Sequence, residues 1–237
     1  MDFQAGEILC FDKPYGLTSF QVVGRVRWQL CHKLGVKKLK VGHAGTLDPL
    51  ATGVLVVCTG RATKDIEKLQ YQTKEYVATL CLGATTPSFD LEHPIDKTYP
   101  TDHITKELVE NVLRCFVGRI EQIPPQYSAC KVDGKRAYDA ARNGVEVELK
   151  PKILQIDQIE LLDYCMPHIT IRVVCSKGTY IRALARDIGQ ALDSGAHLTA
   201  LRRTRVGNVT VQDCLNPSDF ETWLENQTIE NSITTVQ

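Results

Sequence analysis

The sequence lacks several features that would place the protein in a specialised class. Its nine cysteines include no C-x-x-C pair, which argues against a zinc ribbon, and their scatter suggests no disulfide framework. No stretch approaches about 18 uncharged apolar residues, so no membrane span is expected. The first residues show no basic-then-apolar leader, and we expect a reduced, cytoplasmic location. A chain of 237 residues can bury a sizeable core in one large or two small domains.

The sequence also lacks net charge, since 28 basic residues balance 28 acidic ones, but the charges are unevenly distributed. Residues 13–47 contain no Asp or Glu and seven Lys or Arg, whereas no Lys or Arg follows Gly207. A run of basic residues is usually a solvated face. An acid-free run that leads into a candidate catalytic loop also suits a surface that follows RNA phosphates.

That candidate loop is the most informative segment. Residues 42–57 read GHAGTLDPLATGVLVV and place one carboxylate, Asp48, in a glycine-rich loop before an apolar strand. Pro49 biases Asp48 toward an extended backbone, and the glycines permit tight turns or close approach of a ligand. For an arbitrary Asp-Pro pair, the simpler interpretation is a turn in which the carboxylate bonds the local backbone.

The whole segment changes that interpretation. Residues 42–53 resemble the motif G-H-x-G-T-L-D-P-x-A-x-G of the TruB family, the bacterial tRNA pseudouridine(55) synthases. Residues 175–182 are similar to its C-S-x-G-T-Y-I-R motif, and residues 13–19 to its K-P-x-G-x-[ST]-S element. Shorter matches at residues 74–76, 124–134 and 201–204 follow in order. The resemblance therefore extends from about residue 8 to residue 207.

Hydrophobic patterns predict the secondary structure. Alternating or apolar runs predict strands at residues 8–11, 54–58, 76–82 and 169–175, with two short strands within 146–162. Capping-box spacing at residues 18–21 predicts a helix to about residue 34, and apolar stripes predict helices at 107–116 and 179–192. This irregular mixture indicates an α+β protein. The resemblance narrows it to the pseudouridine synthase fold, in which helices flank a central, mostly antiparallel sheet.

The resemblance also implies a domain organisation. Residues 1–207 are expected to form the catalytic domain, and residues 208–237 a short acidic C-terminal tail. Relatives often carry a C-terminal RNA-binding PUA domain. The residues after Gly207 are too few and too acidic for that role, so we expect a short form that lacks it.

The family's reaction converts uridine to pseudouridine at position 55 in the T loop of tRNA. It breaks the C1′–N1 bond, turns the uracil and joins C5 to C1′ without net redox change, so no cofactor and no metal are expected. It needs a carboxylate at C1′ and an enclosed site that retains the detached base. The resemblance assigns that carboxylate to Asp48, either as a nucleophile or as a base. Because a stacked nucleotide is inaccessible, the base must be flipped.

Arg182 is the second candidate. It is expected in the first turn of a helix, where the helix dipole disfavours a cation, so an acidic partner should compensate. By resemblance that partner is Asp48. Without the motif, an arginine that binds phosphate or water would be an equally good interpretation.

The resemblance assigns further roles, although most of these residues also suit a structural position. Tyr76 is matched to the tyrosine that stacks on the target base, and Tyr180 and Leu201 to residues that line the base pocket; any of the three would pass as core. His43 is matched to a residue where the flipped nucleotide leaves its loop. Two other matched residues, Asp90 and Lys13, are expected to support the site.

One loop departs from the family pattern. The family favours G-x-x-T-D-T-x-D-x-x-G after the strand of Tyr76, but here Pro87 and His93 replace an Asp and a Gly. Asp90 is retained. The departure bears on the conformation of the loop rather than on the chemistry.

The expected partner is the T arm of tRNA, recognised by loop shape, stacking and phosphate contacts. We expect a monomer without an obligatory protein partner and without a membrane. The basic residues expected to face RNA lie within residues 13–40 and 202–205, with Lys131, Arg136 and Arg142.

Two other functions fit the same scaffold. One is a related uridine isomerase that acts on another RNA, including the guide-RNA-directed branch, whose members normally need the C-terminal module. The other is a non-catalytic RNA-binding protein or folding chaperone, against which the intact Asp48, Tyr76 and Arg182 argue.

Overall fold

A computed structural model describes residues 1–128, 130–132, 135–145 and 147–230. Ala129 and Gly134, which belong to the motif-like segment 124–134, lie outside the described residues, as do the side chains of Lys131, Arg136 and Arg142. The chain divides into two compact units. The first unit contains residues 1–74 and the chain from Arg202 onward, and the second contains residues 75–201. No helix in the described part is long and apolar enough to cross a membrane.

Strands and helices follow the chain in this order. The first eight are β1 (Ile8–Lys13), α1 (Ser19–Leu34), β2 (Val41–His43), β3 (Ala51–Thr59), α2 (Ile66–Gln70), β4 (Lys74–Leu82), β5 (Ala84–Thr85) and β6 (Lys97–Thr98). They are followed by α3 (Lys106–Cys115), β7 (Gly118–Gln122), β8 (Lys131–Val132), β9 (Lys135–Arg136), α4 (Ala137–Arg142), β10 (Lys152–Cys165), β11 (His168–Cys175), α5 (Ile181–Ala191), β12 (Ala196–Val206), β13 (Val209–Thr210) and α6 (Phe220–Glu225).

The first unit is built on β3. Strand β1 pairs with it antiparallel along its whole length, from Ile8 opposite Cys58 to Lys13 opposite Gly53. On the side of β3 away from β1, β2 pairs with residues Val57, Cys58 and Thr59, and β12 is the next strand of the sheet. Every second residue of β1 is buried, so one face of this strand belongs to the core.

Helix α1 covers that core. It begins as the capping-box spacing predicts, because the Thr18 side chain accepts from the backbone N–H of Gln21 while the Gln21 side chain bonds the backbone N–H of Thr18. It ends at Gly35, which adopts the left-handed conformation that favours glycine. Its buried apolar residues pack in one cluster with those of β1 and β3: Val22, Val23, Val26 and Leu30 with Leu9, Phe11, Leu55 and Val57.

The second unit has the strand order β4–β11–β10–β7, and β10 pairs antiparallel with both of its neighbours. Alternate residues of β4 are buried, from Lys74 to Leu82, as the predicted alternation requires. Helix α5 buries the predicted stripe of Ile181, Leu184, Ala185 and Ile188. The mostly antiparallel pairings and the helices confirm the α+β class.

One element differs from its prediction. The sequence indicates two short strands within residues 146–162, but the structure has one strand in this range, β10, of 14 residues, and residues 147–151 before it form no strand. Its register with β11 shifts between Ile156 and Gln158 and again between Leu161 and Asp163. These irregularities do not end β10. The strand begins only after Pro151, which has no N–H to donate to a ladder, so the branched residues at 147–149 are not part of it.

Residues 208–230 are packed onto the first unit rather than extended from it. Phe220 and Leu224 of α6 are buried, and the Phe220 ring lies edge-to-face on Phe11 with centroids 5.2 Å apart. The Met1 amine donates to the Thr228 carbonyl at 2.7 Å, and the Glu230 N–H donates to the Met1 carbonyl at 2.9 Å. The division at residue 207 between catalytic domain and tail remains a prediction.

This packing predicts a large effect of a single truncation. Phe220→Ala should lower the free energy of unfolding by about 3 to 5 kcal/mol, because it removes a fully buried ring and leaves a cavity. Urea denaturation followed by circular dichroism measures the change. Phe20→Ala is the matched control, because that ring is 69% exposed, and its effect should stay within about 0.5 kcal/mol. A loss below about 1 kcal/mol for Phe220→Ala would contradict the packing.

Candidate active site

Asp48 lies in the first unit, on the loop that joins β2 to β3, and is half-buried. Its backbone carbonyl accepts from the Ala51 N–H at 3.1 Å, so a turn leads directly into β3. The Asp-Pro pair therefore does start a turn, as the simpler interpretation requires. Buried side chains also form hydrogen bonds with the main chain on both sides of Asp48.

Ser19 holds the residue before Asp48. Its hydroxyl accepts from the Leu47 N–H at 2.8 Å and donates to the Leu47 carbonyl at 3.0 Å. Ser19 is 2% exposed and is the first residue of α1. One buried side chain therefore satisfies both polar groups of the Leu47 backbone and connects the loop to the start of the helix.

Lys13 holds the residue after Asp48. Its ammonium is fully buried and donates to the carbonyls of Pro14 at 2.9 Å, Leu17 at 2.5 Å and Pro49 at 3.2 Å. Burial lowers the pKa of Lys13 to about 8; the charge of Asp48 opposes this shift, and that of Arg203 adds to it. At pH 7 the side chain is still mostly an ammonium ion, and its three N–H groups match three carbonyls.

Arg203 holds the rest of the loop. Only 2% of it is exposed, although it lies in the basic segment that we expected to face RNA. Its guanidinium donates to the Val54 carbonyl of β3 at 2.8 Å and to the Gly45 carbonyl at 3.1 Å. A Cβ at Gly53, whose φ is +105°, would clash with the Arg203 backbone, so the last glycine of the motif is required for close approach of the chains.

His43 ends β2, next to this loop. Burial lowers its pKa below the usual value, and the positive charge of Arg203 acts in the same direction. The imidazole is therefore neutral at pH 7. Its Nδ1 is buried and has no hydrogen-bond partner among the described residues.

The prediction from sequence placed two basic residues in the wrong environment. Lys13 and Arg203 were expected among the side chains that face RNA, but both are buried, because their donors satisfy main-chain carbonyls. Arg202 is partly exposed and forms an ion pair with Asp12 at 2.7 Å. The exposed basic residues of the N-terminal run are Arg25, Arg27, Lys33, Lys37, Lys38 and Lys40.

The second unit contains the other candidate residues. Tyr76 is 8% exposed and belongs to the buried face of β4, and Leu201 is half-buried in β12. Tyr180 immediately precedes α5. Burial raises its pKa, although a hydrogen bond with Ser128 opposes this rise, and its hydroxyl is therefore protonated at pH 7.

Gln122 positions Tyr180 and was not recognised from the sequence. Its side-chain oxygen accepts from the Tyr180 N–H at 2.9 Å, and its side-chain nitrogen donates to the Tyr180 carbonyl at 3.2 Å. Gln122 is 1% exposed at the end of β7. Its partner is 58 residues away along the chain, so no local pattern could have identified it.

Arg182 is in the first turn of α5, as expected, and has an acidic partner within its own unit. Its Nε lies 3.6 Å from an Asp90 carboxylate oxygen, and both side chains are almost completely buried. Its terminal nitrogens donate to the carbonyls of Ser88 at 3.1 Å and Tyr127 at 2.9 Å. The predicted compensation by a carboxylate is therefore present at Asp90. The pairing of Arg182 with Asp48 remains a prediction.

The loop that departs from the family pattern is well ordered by its own contacts. Asp90 accepts from the Ser88 hydroxyl at 2.6 Å and from the Glu92 N–H at 3.0 Å. Phe89 adopts a positive φ of 61°, which is uncommon for a residue other than glycine. The His93 ring packs on Tyr127 with centroids 4.4 Å apart. The substituted loop thus still presents Asp90 to Arg182.

No group of three or more His, Cys, Asp or Glu side chains in the described ranges is arranged to hold a metal ion. The chemistry available in the first unit is that of one half-buried carboxylate on a fixed loop. The second unit adds the buried Tyr76, the half-buried Tyr180 and the ion pair of Arg182 with Asp90.

Comparison with known proteins places the chain in a family. Residues 32–181 match the model of the TruB family pseudouridylate synthase N-terminal domain, and residues 182–236 match the tRNA pseudouridylate synthase B C-terminal domain. The chain is 68% identical to tRNA pseudouridine synthase B of Bacteroides fragilis, over 98% of this chain and 100% of that protein. It is 69% identical to the protein of the same name from Phocaeicola vulgatus, over 98% and 99%. The chain belongs to the TruB family.

Solved structures support the TruB fold. The chain is similar to one in the crystal structure of a Cbf5-Nop10-Gar1 complex, with a TM-score of 0.72 and 30% identity over 94% of this chain. A chain in the structure of an H/ACA RNP bound to a substrate RNA gives a TM-score of 0.67 at 28% identity. This chain spans only 56% and 54% of those two chains. The expected pseudouridine synthase fold is confirmed.

The buried ammonium of Lys13 predicts a specific pH dependence of stability. Its pKa is about 8 in the folded protein and about 10.4 when unfolded, so the unfolded state binds more protons between these values. The contribution of Lys13 to the free energy of unfolding therefore rises with pH between these two pKa values. Relative to Lys13→Met, the native protein should gain up to about 3 kcal/mol of unfolding free energy between pH 7 and 10.5.

Urea denaturation at each pH measures this difference. Phe20→Ala is the control, because it changes no ionisable group. It shows how much the pH dependence of the unfolding free energy varies between variants for reasons unrelated to Lys13. A difference between native protein and Lys13→Met that is constant with pH would be evidence against a buried ammonium at this position.

Proposed function

We propose that this chain isomerises uridine to pseudouridine at position 55 in the T loop of tRNA. The observation that carries the proposal is Asp48 on a loop whose main chain is held on both sides, by Ser19 before the carboxylate and by Lys13 after it. Relatives with 68% and 69% identity over nearly the full length are named tRNA pseudouridine synthase B, which supports the same substrate.

The reaction needs little beyond a positioned carboxylate. The C1′–N1 bond breaks, a C5–C1′ bond forms, a proton leaves C5 and N1 becomes protonated, so atoms and electrons balance without a co-reactant. Asp48 acts at the sugar, as the nucleophile at C1′ or as the base that removes a sugar proton. Either role requires an ionised, well-placed carboxylate. Because the backbone of residues 47 and 49 is already fixed, the carboxylate has less conformational freedom to lose on reaching the transition state.

Residues of the second unit act on the base in this proposal. By resemblance, Tyr76 stacks on the flipped uracil and assists removal of the C5 proton, and Tyr180 and Leu201 line the pocket. Gln122 fixes the backbone of Tyr180, and the Tyr180 hydroxyl is protonated. Both observations support Tyr180 as a rigid part of the pocket wall. Asp90 orients Arg182, which is proposed to pair with Asp48. His43, neutral at pH 7, is proposed to contact the nucleotide where it leaves the loop.

A guide-RNA-directed isomerase is the second candidate, because of the structural similarity to a chain of the Cbf5-Nop10-Gar1 complex. That similarity extends over 56% of the matched chain, whereas the tRNA pseudouridine synthase B proteins match at more than twice the identity and over 99 to 100% of their length. A stand-alone tRNA enzyme is therefore favoured.

Removal of the Asp48 charge should abolish the reaction. Asp48→Asn keeps the size of the side chain, so we expect a normal fold and normal tRNA binding but at least about 10³-fold slower turnover, or roughly 4 kcal/mol of barrier. Release of tritium from C5-labelled tRNA uridine measures turnover. Asp65→Asn, at an exposed carboxylate of the same unit, is the matched control. Near-normal turnover of Asp48→Asn would remove Asp48 from the mechanism.

Recognition is proposed to be concentrated in the T arm. The segment after Gly207 has no basic residue, and its helix α6 is used for core packing, so residues 208–230 offer phosphate no attraction. A minimal T-arm stem-loop should therefore react within about tenfold of whole tRNA in kcat/KM, a gap of roughly 1.4 kcal/mol.

This comparison needs a single salt concentration, because phosphate contacts make affinity steeply dependent on salt. Mass spectrometry of both RNAs under steady-state conditions gives the two values of kcat/KM. An advantage of about a hundredfold or more for whole tRNA would show that another surface reads the rest of the molecule.

A further inference from the structure

The exposed face near the end of α1 carries an aromatic pair that the core does not use. Trp28 is 65% exposed, and its ring is stacked on that of His32 with centroids 5.7 Å apart and planes within 4° of parallel. A tryptophan this exposed keeps much of its ring surface accessible to a ligand. The flat, parallel arrangement extends an aromatic surface of the kind on which nucleic-acid bases stack.

Basic side chains surround this pair. An open groove of about 790 Å³ is lined by Trp28, Arg27, Lys37, Lys38 and Lys40 together with small or apolar residues. All four basic side chains are exposed, and none forms an ion pair with a carboxylate among the described residues. Because residues 13–47 contain no Asp or Glu, the sequence offers no local acid to neutralise them. We call Arg27, Trp28, His32, Lys37, Lys38 and Lys40 the α1 patch.

The α1 patch is separate from the catalytic loop but connected to it by one helix. Ser19, which binds Leu47 beside Asp48, is nine residues before Trp28 on α1. At 1.5 Å per residue the two positions are about 14 Å apart along the helix axis. Trp28 is therefore too far along α1 to stack on the reacting nucleotide, yet a continuous RNA strand can reach both.

We propose that the α1 patch binds the substrate RNA away from the flipped nucleotide, with an unpaired base stacked on Trp28 and phosphates against Lys37 and Lys38. The inference rests on the proposed function, because that function supplies the RNA. Charge complementarity favours this ligand over a protein, and an aromatic pair in a groove suits a base. An anionic membrane is the poorer fit, since interfacial helices present a broad apolar face beside their basic residues.

Two variants separate stacking from charge. Binding of a fluorescent tRNA transcript is titrated at several salt concentrations with Trp28→Ala, with Lys37→Gln/Lys38→Gln and with the native protein. Loss of one stacked base should raise Kd about tenfold without changing the salt slope. Loss of two phosphate contacts should raise Kd at low salt and lower the slope of log K against log salt by roughly 1.4.

The matched control removes the same charge from α3. Lys106→Gln/Arg114→Gln alters two exposed basic residues of the second unit and should leave both Kd and slope close to those of the native protein. Equal effects of the two double variants would reduce the α1 patch to general electrostatics and overturn the inference. So would an unchanged Kd for Trp28→Ala.

Vesicles rich in phosphatidylglycerol test the alternative that the α1 patch binds an anionic membrane. Trp28-dependent binding to these vesicles in preference to tRNA would also overturn the inference. The outcome is independent of the catalytic assignment. If Trp28→Ala binds tRNA normally while Asp48→Asn is inactive, the patch fails and the proposed function stands. If Asp48→Asn is active, Asp48 is removed from the mechanism whatever the patch does, and if the native protein forms no pseudouridine in tRNA, the proposed function itself fails.

Discussion

The candidate site depends on the hydrogen bonds that buried side chains make to the main chain around Asp48. Lys13 and Arg203 are cations without access to water, and burying such groups unpaired would cost several kcal/mol each. Carbonyl groups of Pro14, Leu17 and Pro49 offset that cost for Lys13. Backbone carbonyls do the same for Arg203, including that of Gly45. The loop and the cations stabilise each other, since a carbonyl that lost its donor would itself be unsatisfied.

Ser19 extends this arrangement to the helix that covers the core. Since its hydroxyl both donates to and accepts from Leu47, the start of α1 and the catalytic loop have a fixed relative position. The packing of α1 on β1 and β3 thus sets the position of Asp48 indirectly. A substitution deep in the first unit is therefore able to affect the site without contacting it.

Local patterns were sufficient to predict most of the secondary structure. The capping box at Thr18 and Gln21 and the apolar stripe of α5 depend on residues within a few positions of one another, and both are present. Two short strands were predicted within residues 146–162 because branched apolar residues occur on both sides of Pro151, but only the residues after Pro151 form a strand. Whether such a run pairs depends on the neighbouring strand, which local periodicity does not contain.

Only those candidate site residues that belong to a family motif were identified from the sequence. Asp48, Arg182 and Asp90 were recognised by resemblance, and Arg182 was also suspected from its place at a helix start. Lys13 and Arg203 were misjudged because a lysine or arginine looks the same in sequence whether its donors face phosphate or buried carbonyls. Gln122 has no motif, and its partner Tyr180 is brought to it only by the fold.

The hydrogen bonds between Met1 and residues 228 and 230 place the two ends of the described chain side by side. A circularly permuted chain that joins these ends through a short linker would keep the contacts of α6 with the core. New ends opened in an exposed connection would then allow a label or affinity group to be attached away from the first unit's core. The same proximity means that groups attached at Met1 and at Glu230 would crowd one another.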